Sequence, residues 1–482
     1  MNKMDNQNKI GNVSTVETRH ALSLRIPTQQ PLKPYEKYKP SLIDGLGEIP
    51  AHWERWKLNR ILFFQEGPGL RTWQFKDTGV KVICVTNITP PKISFAKMTK
   101  YISIEEYDEK YKHFTVEKGN ILLASSGATW GKVATYNDDE KVILNTSTIR
   151  LNTKKNELLS NTIVKHLLNA NYVNTQLQNL LTGSCQPNFG PTHLNKLYVA
   201  LPTLEEQTAI ANFLDYKTAK IDRFIYKKKQ LIKLLNEQKA GIIDDAVTKG
   251  LNPNTKTKPS GIEWLGDIPQ HWEIVKLRYL TRITTGNKNT EDKVENGQYD
   301  FFVRSQKIAK INSYSFDGEG ILTAGDGVGV GKVFHYINGK CDYHQRVYLF
   351  YKFSNTVYAK YLFYFLQKFL KNELMIYNAK STVDSVRLPV LKDFLVSLPP
   401  LTEQTAIVSH IETETDIINK TIATIEKEIA LVQEYRTALI AEAVTGKIDV
   451  RNYELGMISD ELEESENIDL EDDTEFDNQE IE

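Results

Sequence analysis

The chain contains one long sequence unit twice. Residues 39–58 (KPSLIDGLGEIPAHWERWKL) closely match residues 258–277 (KPSGIEWLGDIPQHWEIVKL), and LPTLEEQTAI at 201–210 matches LPPLTEQTAI at 398–407. Each copy is far longer than the units of solenoid proteins, which have about 20–50 residues. Each is also long enough to bury a hydrophobic core of its own. The sequence therefore indicates a tandem duplication.

The spacing between equivalent residues divides each copy into two parts. The offset falls from 219 at Gly47 to 200 at Gly131, and it stays at 197 from Leu201 to the Ala-Val-Thr motif that begins at Ala246. The first part has therefore gained or lost residues, whereas the second part has kept its length. A divergent body joined to an element of fixed length suggests two different recognition domains mounted on one kind of spacer.

The part of fixed length is predicted to be a long helix in both copies. Pro202 and Pro399 lie just before it, where proline is tolerated, and Thr203 and Thr402 are capping candidates. A helix over Glu205–Lys249 would be roughly 65 Å long. Alone it would bury little surface, so its natural partner is the helix of the other copy.

Apolar positions shared by the two copies recur in steps of 3, 4 and 7 residues, which is the coiled-coil pattern. We therefore expect the helices to pack as an antiparallel coiled coil with pseudo-twofold symmetry, and these positions to form the interface between them and with partners. They are Leu214, Ile221, Ile225, Ile232, Leu235 and Ile242 in the first copy, and Ile411, Ile418, Ile422, Ile429, Val432 and Leu439 in the second.

The divergent part of each copy is predicted to be an α+β domain, because short β-rich runs separated by turn residues precede an apolar helix. The predicted helices are Leu158–Leu181 and Thr356–Ile376. The predicted strands are Val80–Val85, Asn120–Ala124, Lys132–Tyr136, Lys141–Leu144, Asp300–Val303, Gly320–Leu322, Lys332–Tyr336 and Arg346–Tyr351. The predicted domains are a disordered segment (1–30), recognition domain 1 (31–200), helix 1 (201–250), recognition domain 2 (251–397), helix 2 (398–450) and a disordered acidic tail (451–482).

The charge of the chain is distributed unevenly. The formal net charge is -1, but the residues after Arg451 contain 14 acidic and no basic residues. Residues 1–451 therefore hold 60 basic and 47 acidic residues, a net charge of +13. A basic body indicates a polyanionic partner, while the tail by itself can be read as a solubilising end.

Composition also narrows the class of protein. The sequence has no run of eighteen apolar residues and no basic-then-apolar start, which predicts neither a membrane span nor a secretory signal. Cys84, Cys185 and Cys341 follow no metal-binding or disulfide spacing, as expected in a reducing cytoplasm.

Two motifs resemble catalytic sites at first sight. The run from Gly325 to Lys332 is rich in glycine, but Asp326 and Val333 stand where a phosphate-binding loop needs Gly and Ser/Thr, and the first copy has Ser126 and Val133 there. We interpret both as turns leading into a strand. His52-Trp53-Glu54 and its repeat at 271–273 are interpreted as a structural corner around a packed Trp. We also find no motif for amino methylation, no cofactor-binding glycine motif, no nuclease constellation and no metal site.

Basic residues interleave with aromatic ones in both divergent parts, a mixture suited to DNA backbone and groove contacts. The DNA-binding candidates are Arg71, Lys76, Lys112 and Lys132 in the first copy, and Arg304, Lys307, Lys332, His344 and Arg346 in the second.

The pair of motifs Gly-Glu/Asp-Ile-Pro-x-His-Trp-Glu and Leu-Pro-x-Leu-x-Glu-Gln-x-Ala-Ile, present twice, resembles the specificity subunit of type I restriction–modification systems. The resemblance covers about residues 39–450 and includes GSCQPN at 183–188, although the second copy reads AKSTVD at 379–384. It implies two target-recognition domains that each read half of a bipartite site in double-stranded DNA. It also implies helices that set the spacer and dock two methyltransferase subunits, with restriction subunits completing the complex. S-adenosylmethionine, ATP and magnesium would serve those partners, and this chain would hold no cofactor and no catalytic site of its own, which agrees with the motifs that are absent.

Two other functions are compatible with parts of the sequence. A coiled-coil adaptor that binds only proteins would explain the long helices but not the excess of positive charge. An NTPase would use the glycine-rich turns, despite their departures from the phosphate-loop pattern.

Overall fold

The structure is a computed structural model that describes residues 32–90, 92–96, 98–127, 130–181, 188–327, 329–378 and 385–454, with the backbone alone at 375–378. The predicted disordered segment at 1–30, the loops at 183–187 and 379–384, and the acidic tail from 455 lie outside the described residues. The chain divides into two compact units. Unit 1 takes Met1–Phe224 and Leu431–Glu482, and unit 2 takes Ile225–Ala430.

Unit 1 combines short strands with helices and contains the start of the first long helix. The strands are β1 (Tyr38–Pro40), β2 (Glu48–Pro50), β3 (Glu54–Lys57), β4 (Leu62–Glu66), β5 (Val80–Ile83), β6 (Ile88–Thr89), β7 (Lys92–Ile93), β8 (Lys100–Ile102), β9 (Thr115–Val116), β10 (Ile121–Ala124), β11 (Val133–Thr135), β12 (Val142–Leu144), β13 (Thr148–Thr153) and β14 (Tyr198–Leu201). The helices are α1 (Leu58–Ile61), α2 (Ile104–Glu106), α3 (Asn161–Leu168), α4 (Asn171–Leu180), α5 (Pro191–Leu194) and α6 (Leu204–Lys249).

Unit 2 repeats this plan with fewer and longer strands. Its strands are β15 (Thr257–Pro259), β16 (Asp267–Pro269), β17 (Glu273–Lys276), β18 (Arg282–Thr285), β19 (Tyr299–Phe302), β20 (Ala309–Ile311), β21 (Phe316–Ala324), β22 (Phe334–Tyr343), β23 (Val347–Tyr351) and β24 (Leu395–Leu398). Its helices are α7 (Ala359–Asn378), α8 (Leu388–Asp393) and α9 (Leu401–Val444). Both units thus have the mixture of helices and strands that the sequence predicts.

The units share a sheet topology but differ in how it is divided. Unit 2 has one six-stranded sheet in the order β18-β23-β21-β22-β19-β20, in which β22 pairs antiparallel with β21 and parallel with β19. In unit 1 two short strands take the place of β22: β11 pairs antiparallel with β10, and β12 pairs parallel with β5. The result is two four-stranded sheets, β11-β10-β13-β4 and β8-β5-β12-β9.

The long helices α6 and α9 each contribute to both cores. α6 starts in unit 1, and its last turns bury Ala246 and Val247 among the core residues of unit 2. α9 starts in unit 2, and its last turns bury Ala443 and Val444 in the core of unit 1. The repeated Ala-Val-Thr motif is therefore explained by packing, because both helix ends are buried and need compact apolar side chains there.

Most predicted elements are present, with boundaries shifted by a few residues. The predicted helix Leu158–Leu181 is wrong as a single helix, because the chain breaks at Asn169–Ala170 into α3 and α4. The capping role given to Thr402 is also wrong. The residue equivalent to Thr203 at the offset of 197 is Pro400, and α9 starts directly after it, so Thr402 lies inside the first turn. Thr203 itself accepts from the Glu206 amide at 3.4 Å.

Candidate nucleic-acid interface

In unit 2 several loops meet at the end of β21. Gly325 donates its backbone N–H to the Arg346 carbonyl at 2.7 Å and accepts from the Val386 amide at 2.9 Å. A Cβ at Gly325 would lie 2.9 Å from the Arg346 carbonyl oxygen and from the Tyr348 ring, so the glycine leaves room for that ring. The backbone bonds of Gly325 join three separate chain segments.

A fourth segment, which follows β18, joins the same junction. The Gln345 amide donates to the Lys288 carbonyl at 2.9 Å. A Cβ at Gly286 would come within 1.9 Å of the Tyr343 carbonyl oxygen, so this close approach also requires glycine. We refer to the hydrogen-bonded junction of residues 285–289, 325–327, 344–346 and 385–386 as the loop frame of unit 2.

The loop frame gathers two of the predicted DNA-binding arginines around one carboxylate. Asp326 Oδ1 lies 3.1 Å from Arg304 Nη1, and Asp326 Oδ2 lies 3.1 Å from Arg346 Nη1. The Arg346 side chain is 62% exposed, whereas the Asp326 side chain is 18% exposed. A half-buried anion thus orients two guanidinium groups that remain accessible to a polyanion.

His344, another predicted DNA-binding residue, is buried within the frame. Its Nδ1 lies 3.0 Å from the Arg346 amide, which donates to it, so the ring proton belongs on Nε2. Burial lowers the pKa of His344 below its ordinary value of 6.5, and the neighbouring Arg304 lowers it further. At neutral pH His344 is therefore uncharged, and its hydrogen bond with the Arg346 amide stabilises the turn that carries Arg346.

Polar side chains complete the surface of the frame. Gln345 is exposed, and its Nε2 donates to Asn289 Oδ1 at 2.6 Å. Two shallow concavities of about 400 and 300 Å³ adjoin each other here, and Asp326, Gln345 and Arg346 line both. Amide and guanidinium groups in a concave surface are the groups that read base edges in DNA.

Lys307 and Lys332 are exposed on loops adjoining the frame. Lys307 follows Arg304 in the turn after β19, and its amide donates to Ser305 Oγ at 3.0 Å. Lys332 ends the glycine-rich turn, which leads into β22 as the sequence predicts. Glycines at positive φ, Gly327 and Gly331, form this turn.

Unit 1 contains the same frame, formed by residues 66–71, 125–127, 145–147 and 188–189. Ser125 donates its amide to the Ser147 carbonyl at 2.9 Å and accepts from the Phe189 amide at 3.1 Å. A Cβ at Gly67 would lie 2.2 Å from the Asn145 carbonyl oxygen, so Gly67, like the equivalent Gly286, lies directly against the backbone of the adjoining turn. The side chains differ, however. Unit 1 has hydroxyl-bearing residues at several positions where unit 2 has charged or amide-bearing residues.

The predicted DNA-binding residues of unit 1 are all exposed but lie on separate loops. Arg71 precedes a short 3₁₀ turn that presents Trp73, which is 74% exposed. Gln74 Nε2 donates to the Tyr111 hydroxyl at 3.1 Å, and this bond ties that turn to the segment that carries Lys112. The remaining candidates, Lys76 and Lys132, are exposed on the loop before β5 and at the end of the glycine-rich turn.

The predicted seam residues of the long helices are buried to different degrees. Within unit 2 Lys228 Nζ lies 2.7 Å from Glu428 Oε2, and Lys239 Nζ donates to Asn419 Oδ1 at 2.8 Å, so α6 and α9 run antiparallel there. Leu214, Ile221, Ile411, Ile418 and Leu439 are buried, and Ile225, Ile232, Leu235, Ile242, Ile422, Ile429 and Val432 are half-buried.

Several residues of these surfaces are not predicted from the sequence. Ile425 is buried, but Lys228 occupies its equivalent position in the first copy, so it is not an apolar position shared by both copies. Asn289, Gln345 and Asp326 carry no positive charge and therefore lack the signal that predicts DNA contacts. The glycines Gly67 and Gly286, at the offset of 219, are the signal that could have located the frame.

The repeated His-Trp-Glu motif forms the packed corner that we expected. Trp53 and Trp272 are fully buried. His52 Nε2 lies 2.7 Å from Glu206 Oε2, and His271 Nε2 lies 2.7 Å from Glu403 Oε2. The histidines of the motif therefore bind the glutamates of the second repeated motif rather than forming a metal site.

Among the residues that the structure describes, no group of three or more His, Cys, Asp or Glu side chains is placed to hold a metal ion. In the same residues, no helix is both long and apolar enough to cross a membrane.

Comparison with known proteins gives a consistent result for both copies. The sequence model of the type I restriction modification DNA specificity domain matches residues 50–234 and 269–430. The chain is 26% identical over 364 residues to the type I restriction enzyme MjaVIII specificity subunit of Methanocaldococcus jannaschii, covering 71% of this chain and 82% of that protein. It is 27% identical over 183 residues to the EcoDI specificity subunit of Escherichia coli, covering 38% of this chain and 40% of that protein.

One solved structure resembles the fold over most of the chain. It is described as "Structural basis underlying complex assembly and conformational transition of the type I R-M system", and its matching chain gives a TM-score of 0.63 at 15% identity. The match covers 83% of this chain and 99% of that chain. At this identity the likeness concerns the fold alone.

Proposed function

Because the chain belongs to the type I restriction–modification DNA specificity family, we propose that it selects the DNA sequence on which a type I complex acts. In this proposal unit 1 and unit 2 each read one half of a bipartite site in double-stranded DNA. The relatives are specificity subunits and not enzymes, so the prediction of a non-catalytic subunit is confirmed.

One observation carries the proposal: both units contain the same loop frame with different side chains. Gly325 and Ser125 make equivalent backbone hydrogen bonds, so the scaffold is shared. Arg346 and Gln345 stand on it in unit 2, where unit 1 has Ser147 and Thr146. A common scaffold that carries unlike polar groups is what two readers of unlike half-sites require.

The cationic residues around each frame supply the affinity that does not depend on sequence. Exposed lysines contact phosphates as point charges and position the protein without reading bases. Lys307 and Lys332 would do this for unit 2, and Lys76, Lys112 and Lys132 for unit 1. The net charge of +13 over residues 1–451 supports the same role.

We further propose that α6 and α9 pair as an antiparallel coiled coil, with pseudo-twofold symmetry between the copies, that sets the spacer between half-sites. The helices would also dock two methyltransferase subunits. Exposed apolar side chains support docking, since Leu234 of α6 is 59% exposed and Leu431 of α9 is 65% exposed. The two leucines occupy equivalent positions at the offset of 197, so each copy would present one of them to its own partner subunit.

The chemistry of the complex would then belong to its other subunits. S-adenosylmethionine would serve the methyltransferase subunits, and ATP and magnesium the restriction subunits. We expect the assembled complex to act in the cytoplasm. The alternative, an adaptor that binds only proteins, would not explain the exposed cationic residues around the two loop frames.

Footprinting of the complex with its methyltransferase subunits tests the proposal. We expect two protected half-sites on either side of an unread centre. We also expect DNA affinity to fall steeply and linearly on a log–log plot as salt rises, since phosphate contacts release counterions. A single continuous footprint, or affinity independent of salt, would contradict it.

A further inference from the structure

We propose that four pairs of equivalent positions on the loop frames distinguish the target bases, and that Gln345 and Arg346 are the main readers of the second half-site. The inference rests on the proposed function and assigns residues to it. The pairs, unit 1 first, are Arg71 and Asn289, Ser126 and Asp326, Thr146 and Gln345, and Ser147 and Arg346.

The equivalence of these positions follows from backbone contacts. In the sheets Ala324 faces Val347, as Ala124 faces Thr148, which aligns the two turns that follow. The Ser147 carbonyl accepts from the Ser125 amide, and the Arg346 carbonyl accepts from the Gly325 amide. Ser147 and Arg346 therefore occupy equivalent positions.

The third loop is aligned in the same way. The Arg71 amide donates to Gln74 Oε1 at 2.9 Å, and the Asn289 amide donates to Asp292 Oδ2 at 2.7 Å. In both units the side chain three residues later therefore caps the start of a short 3₁₀ turn, which begins directly after Arg71 or Asn289. The backbone of the frame is thus fixed by glycines and main-chain bonds, so its outward side chains can differ without changing the fold.

The side chains of unit 2 have the chemistry of direct base readout. Arginine makes a bidentate contact to guanine O6 and N7, and glutamine makes one to adenine N6 and N7 in the major groove. Arg346 and Gln345 are consecutive, exposed and on the turn held by the frame. The second half-site is therefore inferred to contain a guanine read by Arg346 next to an adenine read by Gln345.

Asp326 orients the Arg346 side chain before DNA binds. Its carboxylate holds the guanidinium groups of Arg304 and Arg346, each at 3.1 Å. The Arg346 side chain is 62% exposed, and Asp326 keeps its contact with Arg304 when Arg346 leaves, so Arg346 can exchange this contact for guanine at small cost. Asn289, which accepts from Gln345, orients the amide in the same manner.

The side chains of unit 1 predict a different readout on the same scaffold. Ser126, Thr146 and Ser147 are hydroxyl-bearing residues, which bond several bases and discriminate less strongly. The guanidinium group of Arg71 stands instead at the position of Asn289. Base discrimination in the first half-site is therefore assigned chiefly to Arg71.

The test uses the full chain in complex with its methyltransferase subunits and selects bound duplexes from a library randomised at both half-sites. The double variant Gln345→Thr with Arg346→Ser gives unit 2 the unit 1 side chains. We expect preference at two adjacent base pairs of the second half-site to fall about tenfold or more, with the first half-site unchanged. Lys310→Ser is the control, because Lys310 is an exposed cation on β20, paired to Asp300 at 2.8 Å.

The variant Arg346→Gln replaces the guanidinium group with an amide, which makes its bidentate contact to adenine rather than guanine, and it is the second test if the double variant fails to fold. Loss of guanine preference, with the first half-site unchanged, supports the inference. Retained preference, or relaxation of the first half-site, overturns it. If the unmodified complex selects no split site at all, the proposed function itself fails, which is a separate result.

Discussion

At the scale of single residues, one glutamate of the repeated Glu-Gln motif has unequal partners in the two copies. Glu206 is buried and accepts from Trp53 Nε1 at 2.9 Å and from the Tyr35 hydroxyl at 2.5 Å, besides its contact with His52. Burial, and then the bond to Glu206, raise the pKa of Tyr35, which keeps its proton for donation. Glu403 is less buried, and among the described residues Trp272 Nε1 has no hydrogen-bond partner.

We therefore predict that Glu206→Ala destabilises unit 1 more than Glu403→Ala destabilises unit 2. The first change leaves two buried donors unpaired and should cost about 2–4 kcal/mol. The second removes a contact between partly exposed groups and should cost about 1 kcal/mol or less. Calorimetric unfolding of the two variants measures the difference. Glu206→Gln, which keeps an acceptor oxygen, should recover part of the loss, and equal costs at 206 and 403 would contradict the argument.

A second prediction at this scale concerns acid sensitivity. His166 is buried in α3 with Nε2 2.8 Å from Asp215 Oδ1, and burial lowers its pKa below 6.5 despite that carboxylate. The unfolded chain therefore binds a proton that folded His166 does not, so the free energy of unfolding should fall as pH drops below about 6.5.

Thermal unfolding between pH 7.5 and 5.5 measures this effect. His166→Gln should flatten the pH dependence of the unit 1 transition, whereas His410→Gln, on the exposed face of α9, should leave it unchanged. A stability that rises on acidification in this range would refute the assignment.

At the scale of elements, close packing at the end of α9 requires a glycine, and the sequence alone does not reveal this requirement. Gly446 follows α9 at φ +71°, and a Cβ there would lie 2.4 Å from Pro50 Cδ and 3.3 Å from the Trp53 ring. The helix end, the β2 corner and the buried Trp are therefore fitted together without room for a methyl group.

We predict that Gly446→Ala is more destabilising than Gly47→Ala. Both glycines have φ near +70°, where an L-residue costs about 1–2 kcal/mol, but a Cβ at Gly47 meets nothing within 4 Å. The clash at Gly446 should add about 1–3 kcal/mol. Chemical denaturation of the two variants measures the excess, and similar costs would show that the corner can relax.

The sequence predicts long and repeated elements well and short non-local ones poorly. The helix expected over Glu205–Lys249 begins at Leu204, because a 3–4–7 pattern over many turns leaves little ambiguity. The strand pairs β3–β14 and β17–β24 were missed, since each strand has four residues and its partner is more than one hundred positions away. The loop frames were missed for a related reason, because backbone bonds between distant loops leave only isolated glycines as a signal.

At the scale of the whole molecule, the constant offset of 197 agrees with the proposal that the helices set a distance, because both copies keep the same length. Loops in the divergent parts have changed length freely, and surface insertions cost little. A change in one long helix alone would instead shift its antiparallel register against the other, as set by Lys228 with Glu428 and Lys239 with Asn419. If the helices set the spacer, as proposed, the spacer can change only when both helices change together.

A paired deletion would keep the two helices in register. Removing Lys229–Leu235 together with Ala423–Ile429 takes out two segments that face each other in that register, one heptad from each helix. The pair should shorten by about 10 Å, which corresponds to about three base pairs. Selection from a library with variable spacers should then recover the same half-sites around a shorter unread centre. Deletion of Lys229–Leu235 alone should lower the unfolding temperature and abolish selection, because it leaves the seam out of register. If the paired deletion altered the half-sites and kept the spacer, the helices would not set the distance, and the units themselves would have to do so.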